Sequence, residues 1–486
     1  MPKKISSFRK QETWIGIALG TFVISSLLRF FVHPSGGHVH RQSDTIGMSL
    51  EFAERIREVG ISALDFIFYP RILQRGLLDG INAAEFPLLN ILGAPAFLIS
   101  SNPQYGVFFS ALLILGLNLF AAYVYLPRLL KAWKLSISPQ MSLLLWFTAG
   151  TLANQTHTVM PEGFAFPLMV MGMVELLEFR NRARFFGAAV LCGLAVAVKP
   201  TVVLSLGALA ALPIFIPNYQ RHWKQLLLGL GISLIFPAWW YTMHAHSILS
   251  FAEGPQIFAL ATLNPFKKLG EVGVSGILWL IGREIHTGQF PFLVGWFFIG
   301  LAIYFREWIL LGLYLLSLVA AVSLDGAHII PHRYYFIGTS MFSILLMAKL
   351  LGTMEKNRRL KLITVSLLVW GVLFNGRINF WVWGRESQLG NIDYWKMGSQ
   401  ARDAIAPRYH LVTDDPVYPQ KLLYIGRSGT LGTDVYATCT TPLYSQIPLA
   451  LVSNTPPPKK DFCHGRKLVR REIETSFAKW YITLVN

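Results

Sequence analysis

One long polar interval stands early in the chain; it opens with HRQSDT at residues 40–45 and closes with NAAEFP at residues 82–87. It follows the first hydrophobic segment and is the longest polar interval in the first three quarters of a very apolar sequence. Besides five arginines it contains seven carboxylates, namely Asp44, Glu51, Glu54, Glu58, Asp65, Asp79 and Glu85. In a membrane protein, so dense a charged loop is expected to contain the functional site, and Asp44 is the candidate catalytic base.

The composition is that of a polytopic membrane protein. Hydrophobic residues make up 53% of the 486 residues and charged residues only 14%, whereas soluble domains carry about 25% charged residues. A net charge of +17 would suggest nucleic acid in a soluble protein. Here much of the Lys and Arg lies in short clusters between apolar runs, as cytoplasmic loops require, so we expect no nucleic-acid partner.

The apolar runs predict the membrane topology. Runs long enough to cross lie near 14–32, 106–126, 141–158, 163–179, 185–217, 225–242, 290–305, 308–324, 334–352 and 361–378. The first run is long for a signal peptide and no small-residue cleavage site follows it, so we interpret it as a retained helix with a cytoplasmic N-terminus. Basic clusters between later runs predict cytoplasmic loops.

The inside and outside loops alternate consistently only if the run 185–217 crosses twice, with a bend at Lys199-Pro200-Thr201. Proline favours a break there because it lacks a backbone donor and restricts the residue before it. The prediction is then about 11 spans, with an extracytoplasmic C-terminus. The outer loops are 33–105, 153–163, 243–289, 325–333 and everything after about residue 379. The short segment 86–99 is interpreted as interfacial or re-entrant.

Two domains are expected. Residues 1–380 form a helical membrane domain that includes the large first outer loop, 33–105. In residues 381–486, short apolar runs alternate with Gly, Pro and Asp turns, which predicts a small extracytoplasmic α/β domain. Cys439 and Cys463 lie in this second domain and could pair if it faces an oxidising compartment.

The candidate site residues each have a structural alternative. Residues Thr45–Val59 have an apolar face suited to a membrane interface, so Asp44 could simply be its N-cap. Glu85 could be a surface carboxylate, or it could share a cation with Asp44. Lys199 could bind a phosphate or place its ammonium at the membrane surface. Arg333 lies on the outer face, against the positive-inside trend, which favours a functional role.

The sequence resembles the GT-C-fold glycosyltransferases, the group that contains the protein O-mannosyltransferases and the aminoarabinose transferases of lipid A. The resemblance rests on short motifs in the right order: RQSDT at 41–45 with the following AERI helix, EFPLLNILGAP at 85–95, GLAVAVKPTV at 193–202 and HRYYF at 332–336. A softer match is YPQKLLYIGR at 418–427. Together these motifs span most of the chain.

The resemblance implies an inverting transfer of a sugar from a polyprenyl-phosphate donor to an acceptor at the outer face. Asp44 matches the acidic residue of the first outer loop, the family's base, and Glu85 matches the acidic residue before the proline-containing segment. Many relatives have Asp-Glu where this chain has Asp44-Thr45, and a doubled proline where it has Phe86-Pro87-Leu88. The role of Glu85, and of any divalent metal ion attributed to it, therefore stays open.

Such a reaction needs a carboxylate as general base and cations for the leaving phosphate. The candidates for binding donor and phosphate are Arg41, Arg71, Arg75, Lys199, His332, Arg333 and Tyr334. The expected location is a bacterial inner membrane with the site facing the periplasm, in contact with membrane lipid. The acceptor, whether lipid, glycan or protein, cannot be read from the sequence.

Two other classes of protein fit the sequence less well. A secondary transporter or lipid-linked glycan flippase should show repeated halves and charged residues near the middle of the bilayer. No internal repeat is visible in this sequence. A receptor or scaffold that works through the C-terminal domain would not need the charged first loop.

Overall fold

The computed structural model describes most of the chain. The described residues are 2–32, 39–67, 85–100, 103–156, 158–179, 181–220, 222–243, 265–290, 294–325, 333–354, 357–414, 421, 425, 430–431, 435–440, 444, 447–458, 462–463, 465–474 and 479–486. For some of them, including 39–44, 333 and 377–395, only the backbone is described.

Helices dominate the described part of the chain. They are α1 (Pro2–Val32), α2 (Val39–Val59), α3 (Leu88–Ile99), α4 (Pro103–Phe120), α5 (Leu126–Ala132), α6 (Pro139–Thr148), α7 (Gly150–Gln155), α8 (Pro161–Glu178), α9 (Arg182–Val198), α10 (Val203–Phe215), α11 (Pro217–Gln220), α12 (Trp223–Met243), α13 (Pro265–Arg283), α14 (Val294–Tyr304), α15 (Trp308–Asp325), α16 (Ser340–Thr353) and α17 (Arg358–Ala404). Shorter pieces join them: 3-10 helices at Gly60–Ile67, Pro200–Val202, Arg333–Thr339 and Ala437–Thr440, and π-helices at Ala121–Tyr125 and Glu284–Gly288.

Four stretches are long and apolar enough to cross a membrane by length and composition: Gln104–Ala132, Trp223–Met243, Tyr334–Thr353 and Arg358–Gly376. Shorter apolar helices include Glu12–Leu27, Pro200–Phe215, Val294–Tyr304 and Trp308–Leu324. Helix α3 has 12 residues, so it rises only about 18 Å against a hydrocarbon core of about 30 Å. This length agrees with a segment that does not cross. The count of about 11 spans stays a prediction.

The break in the apolar run 185–217 is confirmed. Helix α9 ends at Val198, Lys199 is extended at φ −150° and ψ 105°, and a 3-10 turn over Pro200–Val202 leads into α10. Proline disfavours a helical conformation for the residue before it, so Lys199 leaves the helix there. The run therefore forms two helices with a lysine at their junction.

Helix α2 begins earlier than the sequence pattern indicated. It starts at Val39 and not at Thr45, so Asp44 lies inside the helix and the N-cap interpretation is wrong. Helix α2 packs against α3 because Gly93 admits a close approach: a Cβ there would lie 2.9 Å from Ser49 Oγ. The Asn90 side chain donates a hydrogen bond to the carbonyl of Thr45.

The outer loop predicted at 243–289 contains helix α13, which the sequence analysis did not identify. Its hydrophobic pattern is interrupted by Lys267, Lys268 and Glu271. The helix is kinked at Gly273, whose φ of 70° and ψ of 164° are not helical. The π-helix Glu284–Gly288 continues it.

The C-terminal region forms a five-stranded mixed sheet. Its strands are β1 (His410–Thr413), β2 (Thr430–Leu431), β3 (Leu449–Ser453), β4 (Leu468–Glu474) and β5 (Lys479–Val485). Their order is β2-β1-β3-β5-β4, with β1 parallel to β2 and β3, and β5 antiparallel to β3 and β4. A disulfide joins Cys439 and Cys463 beside the buried strand residues Leu449 and Leu451.

Contacts divide the chain into two compact units. One comprises Met1–Leu27, Ala83–Phe86 and Leu113–Phe380, and the other comprises Leu28–Asn82, Pro87–Leu112 and Trp381–Asn486. Glu85 and Lys199 belong to the first unit, and Asp44 belongs to the second.

Candidate functional site

A buried cluster of opposite charges forms in the first unit around Lys199. Its ammonium Nζ lies 2.7 Å from Glu85 Oε1 and 2.7 Å from Glu162 Oε1. The exposed fraction of the side chain is 2% for Lys199, 16% for Glu85 and 0% for Glu162. The structure thus joins two residues singled out from the sequence, 114 positions apart, with a third that was not.

The end of helix α9 brings Glu85 to Lys199. The backbone N–H of Phe86 donates a 2.8 Å hydrogen bond to the carbonyl of Ala197, two residues before Lys199. Tyr241 Oη donates to the same carbonyl at 3.2 Å. The Phe86 ring packs edge-on against Trp240, with centroids 4.9 Å apart. The EFP motif is therefore held by its backbone and its aromatic ring against the end of the AVAVKP motif.

Glu162 is placed by the start of helix α8, where Pro161 occupies the first turn. The side chain of Asn118 donates a 2.8 Å hydrogen bond to the Gly163 carbonyl. A Cβ at Gly163 would collide with the Gln155 carbonyl, so only glycine allows the chain to approach so closely there. These contacts fix the first turn of α8 and with it the carboxylate beneath Lys199.

Two tyrosine rings flank the ammonium of Lys199. Nζ lies 4.5 Å from the centroid of Tyr335 and 5.6 Å from that of Tyr334. Cation–π contacts at these distances contribute about 0.5–2 kcal/mol each. Tyr334 was predicted as a site residue from the HRYYF motif, and the structure brings it to Lys199.

The 3-10 helix Arg333–Thr339 that carries these rings is itself fixed. Ser205 Oγ donates a 2.9 Å hydrogen bond to the Gly338 carbonyl. The fully buried Gln289 donates from Nε2 to the Phe336 carbonyl at 3.2 Å and accepts from Ser340 Oγ at 3.0 Å. Gln289 thus links the predicted outer loop 243–289 to the tyrosine-bearing turn.

Among the described residues, two carboxylates face the one ammonium of Lys199. Buried charges in proteins are paired, because an isolated ion leaves water only at a large cost in free energy. A ligand group that enters beside Lys199 meets an ammonium already shared by carboxylates. Of these two carboxylates, Glu85 is the more exposed and lies at the accessible edge of the cluster.

The other predicted site residues lie elsewhere in the chain. The backbone of Arg41 and Asp44 is in α2 and that of Arg333 is in a 3-10 helix, but their side chains lie outside the described part. Arg71, Arg75 and His332 lie outside the described residues altogether. Within the described residues no three His, Cys, Asp or Glu side chains form a group that could hold a metal ion.

Glu162 and Gln289 are the residues that sequence reasoning did not select. Glu162 had a usable signal: it is a lone carboxylate at the predicted outer end of an apolar helix, within Met160-Pro161-Glu162-Gly163. Gln289 had no such signal in the sequence, because an uncharged amide at the edge of a loop matches no chemical motif.

Comparison with known proteins identifies the fold. No family model matches the sequence, and no curated protein matches it. The solved structure of ArnT from Cupriavidus metallidurans in the apo state aligns with a TM-score of 0.53 at 12% identity over 97% of this chain and 98% of that one. The same protein bound to undecaprenyl phosphate aligns with a TM-score of 0.54 at 11% identity, covering 97% of both chains.

The chain therefore has the ArnT fold, which is a GT-C fold, and the resemblance seen in its motifs is confirmed at the level of architecture. With its apolar helices, that fold makes the chain an integral membrane protein.

Proposed function

We propose that this protein is a membrane glycosyltransferase that transfers a sugar from a polyprenyl-phosphate donor to an acceptor, with inversion, at the extracytoplasmic face. The observation that carries the proposal is the buried lysine between two carboxylates and two tyrosines, in a chain with the ArnT fold. ArnT has been solved with undecaprenyl phosphate bound, which supports a donor of that class. A lipid donor keeps its chain in the bilayer while its phosphate meets the protein.

The proposed reaction needs a base for the acceptor hydroxyl and cations for the leaving phosphate. An acceptor hydroxyl attacks the anomeric carbon of the sugar while Asp44 removes its proton. The bond between that carbon and the phosphate oxygen breaks, and the polyprenyl phosphate leaves with the electron pair. A new glycosidic bond of opposite configuration results, and the protein is restored when Asp44 releases its proton.

Lys199 has the charge that the leaving phosphate needs. In this proposal the phosphate competes with Glu85 for the ammonium, and Glu162 keeps Lys199 in place throughout. Further contacts to the donor are assigned to Arg41, Arg71, Arg75, His332, Arg333 and Tyr334. A divalent metal ion beside Glu85 stays part of the hypothesis, and no step above passes through it.

The proposed division places catalysis in residues 1–380 and an extracytoplasmic α/β domain at 381–486. The Cys439–Cys463 disulfide supports this orientation, because disulfides persist in oxidising compartments such as the periplasm. A bacterial inner membrane is the location that fits best. A reporter fused after Ser387 tests the orientation: extracytoplasmic signal is expected, and cytoplasmic signal would refute the model of about 11 spans.

A transporter or flippase of lipid-linked glycans is the second candidate, because buried charged residues in membrane helices also mark transport pathways. The two functions differ in their product, since only a transferase makes a new glycosidic bond.

The test is a transfer assay with purified protein in lipid nanodiscs, a panel of polyprenyl-phosphate sugars and candidate lipid, glycan and peptide acceptors. We expect release of polyprenyl phosphate together with one glycosylated acceptor. Movement of intact donor across vesicle membranes without release of polyprenyl phosphate would favour the transporter instead.

A further inference from the structure

A polar groove lies in the first unit at the C-terminal end of helix α8, whereas the Lys199 cluster lies at the N-terminal end of that helix. It has a volume of about 460 Å³ and is lined by Tyr125, Arg128, Glu175, Arg184, Gly187 and Leu191, with Ala188 between the last two. The basic loops that precede and follow these residues predict the cytoplasmic side. None of these residues belongs to the Lys199 cluster.

Arg128 organises the polar floor of the groove. Its Nε and Nη2 donate to the two carboxylate oxygens of Glu178 at 2.7 and 2.6 Å, and Nη2 also donates to Glu175 Oε1 at 2.9 Å. Its guanidinium lies 4.7 Å from the centroid of the Tyr125 ring. Tyr125 ends a π-helix, an irregularity that is frequent at functional sites.

The groove is lined by two guanidiniums, of Arg128 and Arg184, and one carboxylate, of Glu175. Arg128 is held by carboxylates, whereas no side-chain hydrogen bond or ion pair reaches Arg184 from the described residues, and its side chain is exposed. Glu175 uses Oε1 for Arg128 and is 21% exposed. The groove therefore offers an accessible guanidinium and an accessible carboxylate on neighbouring helices.

The lining residues that helix α9 contributes beyond Arg184 are apolar: Gly187, Ala188 and Leu191. Helix α9 exposes Phe186 and Val190 beside the groove, at 51% and 49%. A Cβ added at Gly187 would meet no atom within 4 Å, so space is left directly above the helix backbone. An occupant must therefore be amphipathic, with an apolar part along α9 and a polar head at its charged end.

We propose that this groove binds the headgroup of a zwitterionic phospholipid with a primary amine, a phosphatidylethanolamine. Its phosphate pairs with Arg184 and its ammonium donates to Glu175, while an acyl chain lies along α9. Basic pockets between membrane helices on the cytoplasmic side recognise lipid headgroups, and in this groove a carboxylate accompanies the guanidinium. Arg128 is already held by carboxylates, so Arg184 is left for the phosphate, and the Glu175 carboxylate favours an amine that can donate hydrogen bonds.

The experiment is native mass spectrometry of the delipidated full-length protein with phosphatidylethanolamine, phosphatidylcholine or phosphatidylglycerol of the same acyl chains. We expect one phosphatidylethanolamine to bind about tenfold more tightly than phosphatidylcholine, whose methylated amine cannot donate to Glu175. Arg184→Gln should weaken binding of phosphatidylethanolamine by a similar factor.

Two glycine variants separate the groove from the general lipid surface. Gly187→Leu fills the groove and should abolish the preference, whereas Gly231→Leu on α12 enters equally open space outside the groove and should leave it unchanged. Tighter binding of phosphatidylglycerol, no preference among the three lipids, or unchanged binding by Gly187→Leu would each overturn the proposal. Sugar transfer is measured separately, so its outcome does not affect this test.

Discussion

Helix α8 has a charged cluster at each end, and among the described residues each cluster joins one cation to two carboxylates. Lys199 lies with Glu85 and Glu162, and Arg128 lies with Glu175 and Glu178. The Lys199 side chain is 2% exposed, whereas that of Arg128 is 26% exposed. The two clusters therefore contain the same kinds of charged group but differ in how deeply the cation is buried.

Burial decides what each cluster contributes. Exposed ion pairs are worth about 0–1 kcal/mol because water and salt screen them. Removing one partner from a buried pair costs about 3–5 kcal/mol because the other charge is left uncompensated. A buried charge in a membrane protein is by default a functional-site hypothesis, and this is the physical reason for proposing chemistry at the Lys199 cluster.

The largest effect is expected for Lys199→Met. It removes the ammonium that Glu85 and Glu162 share, so it should lower the free energy of unfolding by about 3–5 kcal/mol and abolish sugar transfer. The matched variant Arg128→Met should cost less, about 0–1 kcal/mol for each of its ion pairs, and leave transfer intact. Denaturant unfolding in detergent measures both. Equal losses in the two variants would remove the distinction between the clusters.

A subtler effect is expected for Glu162→Gln, which keeps the shape of the side chain and removes one of the two carboxylates beside Lys199. The free energy of unfolding should change by less than about 2 kcal/mol, while the turnover number falls at least about tenfold, because Lys199 loses an anchor. Glu175→Gln serves as the control and should transfer sugar normally. A pH–rate profile of Glu162→Gln identical to that of the wild type, at an equal rate, would contradict the positioning role.

The 3-10 helix that carries Tyr334 and Tyr335 can be destabilised without changing the charged residues of the Lys199 cluster. Gln289→Ala removes the hydrogen bonds to Phe336 and Ser340 and should cost about 1–3 kcal/mol, since buried polar groups lose partners. It should also raise KM for the donor as the tyrosine-bearing turn loosens. Gln220→Ala, at an exposed position in α11, should change neither. Unchanged kinetics in Gln289→Ala would show that the turn is held by other contacts.

The smallest effect is expected for an ion pair in the C-terminal domain, between Asp414 and Lys421. Asp414 accepts from Lys421 Nζ at 2.5 Å and from Ser453 Oγ at 2.6 Å. Burial opposes ionisation of Asp414, but these hydrogen bonds outweigh it and lower its pKa. Because the folded-state pKa is lowered, the stabilisation is present above the unfolded value of about 3.9 and is lost as the pH falls through the folded value.

Asp414→Asn should therefore reduce the loss of stability in acid. Amide protection factors in β1 and β3, compared between neutral and acidic pH, measure the change. An acid dependence as steep in Asp414→Asn as in the wild type would show that another group is responsible.

Local chemistry made part of this architecture predictable. Pro200 predicted the break at Lys199 because proline constrains the residue before it, and the break is confirmed. The start of α2 was predicted wrongly, because residues 39–44 have no apolar periodicity although their backbone is helical. Helix α13 was missed since its charged residues interrupt the pattern.

The sequence predicted individual residues of the site but not that they lie together. Motifs identified Glu85, Lys199 and Tyr334 one by one, but no pattern relates a carboxylate to a lysine 114 positions away. Their meeting depends on tertiary contacts such as the hydrogen bond from Phe86 to Ala197. Glu162 joins them for the same reason, which is why its role emerges only from the fold.

The most direct test of the account is sugar transfer by Asp44→Asn in nanodiscs. Asparagine is close in shape but cannot accept the proton of the acceptor hydroxyl, so we expect release of polyprenyl phosphate to fall at least about a hundredfold, in the range typical of a lost general base. Donor binding and the unfolding midpoint should be unchanged. A folded Asp44→Asn protein that transfers sugar at a rate near that of the wild type would contradict the assignment of Asp44 as the base.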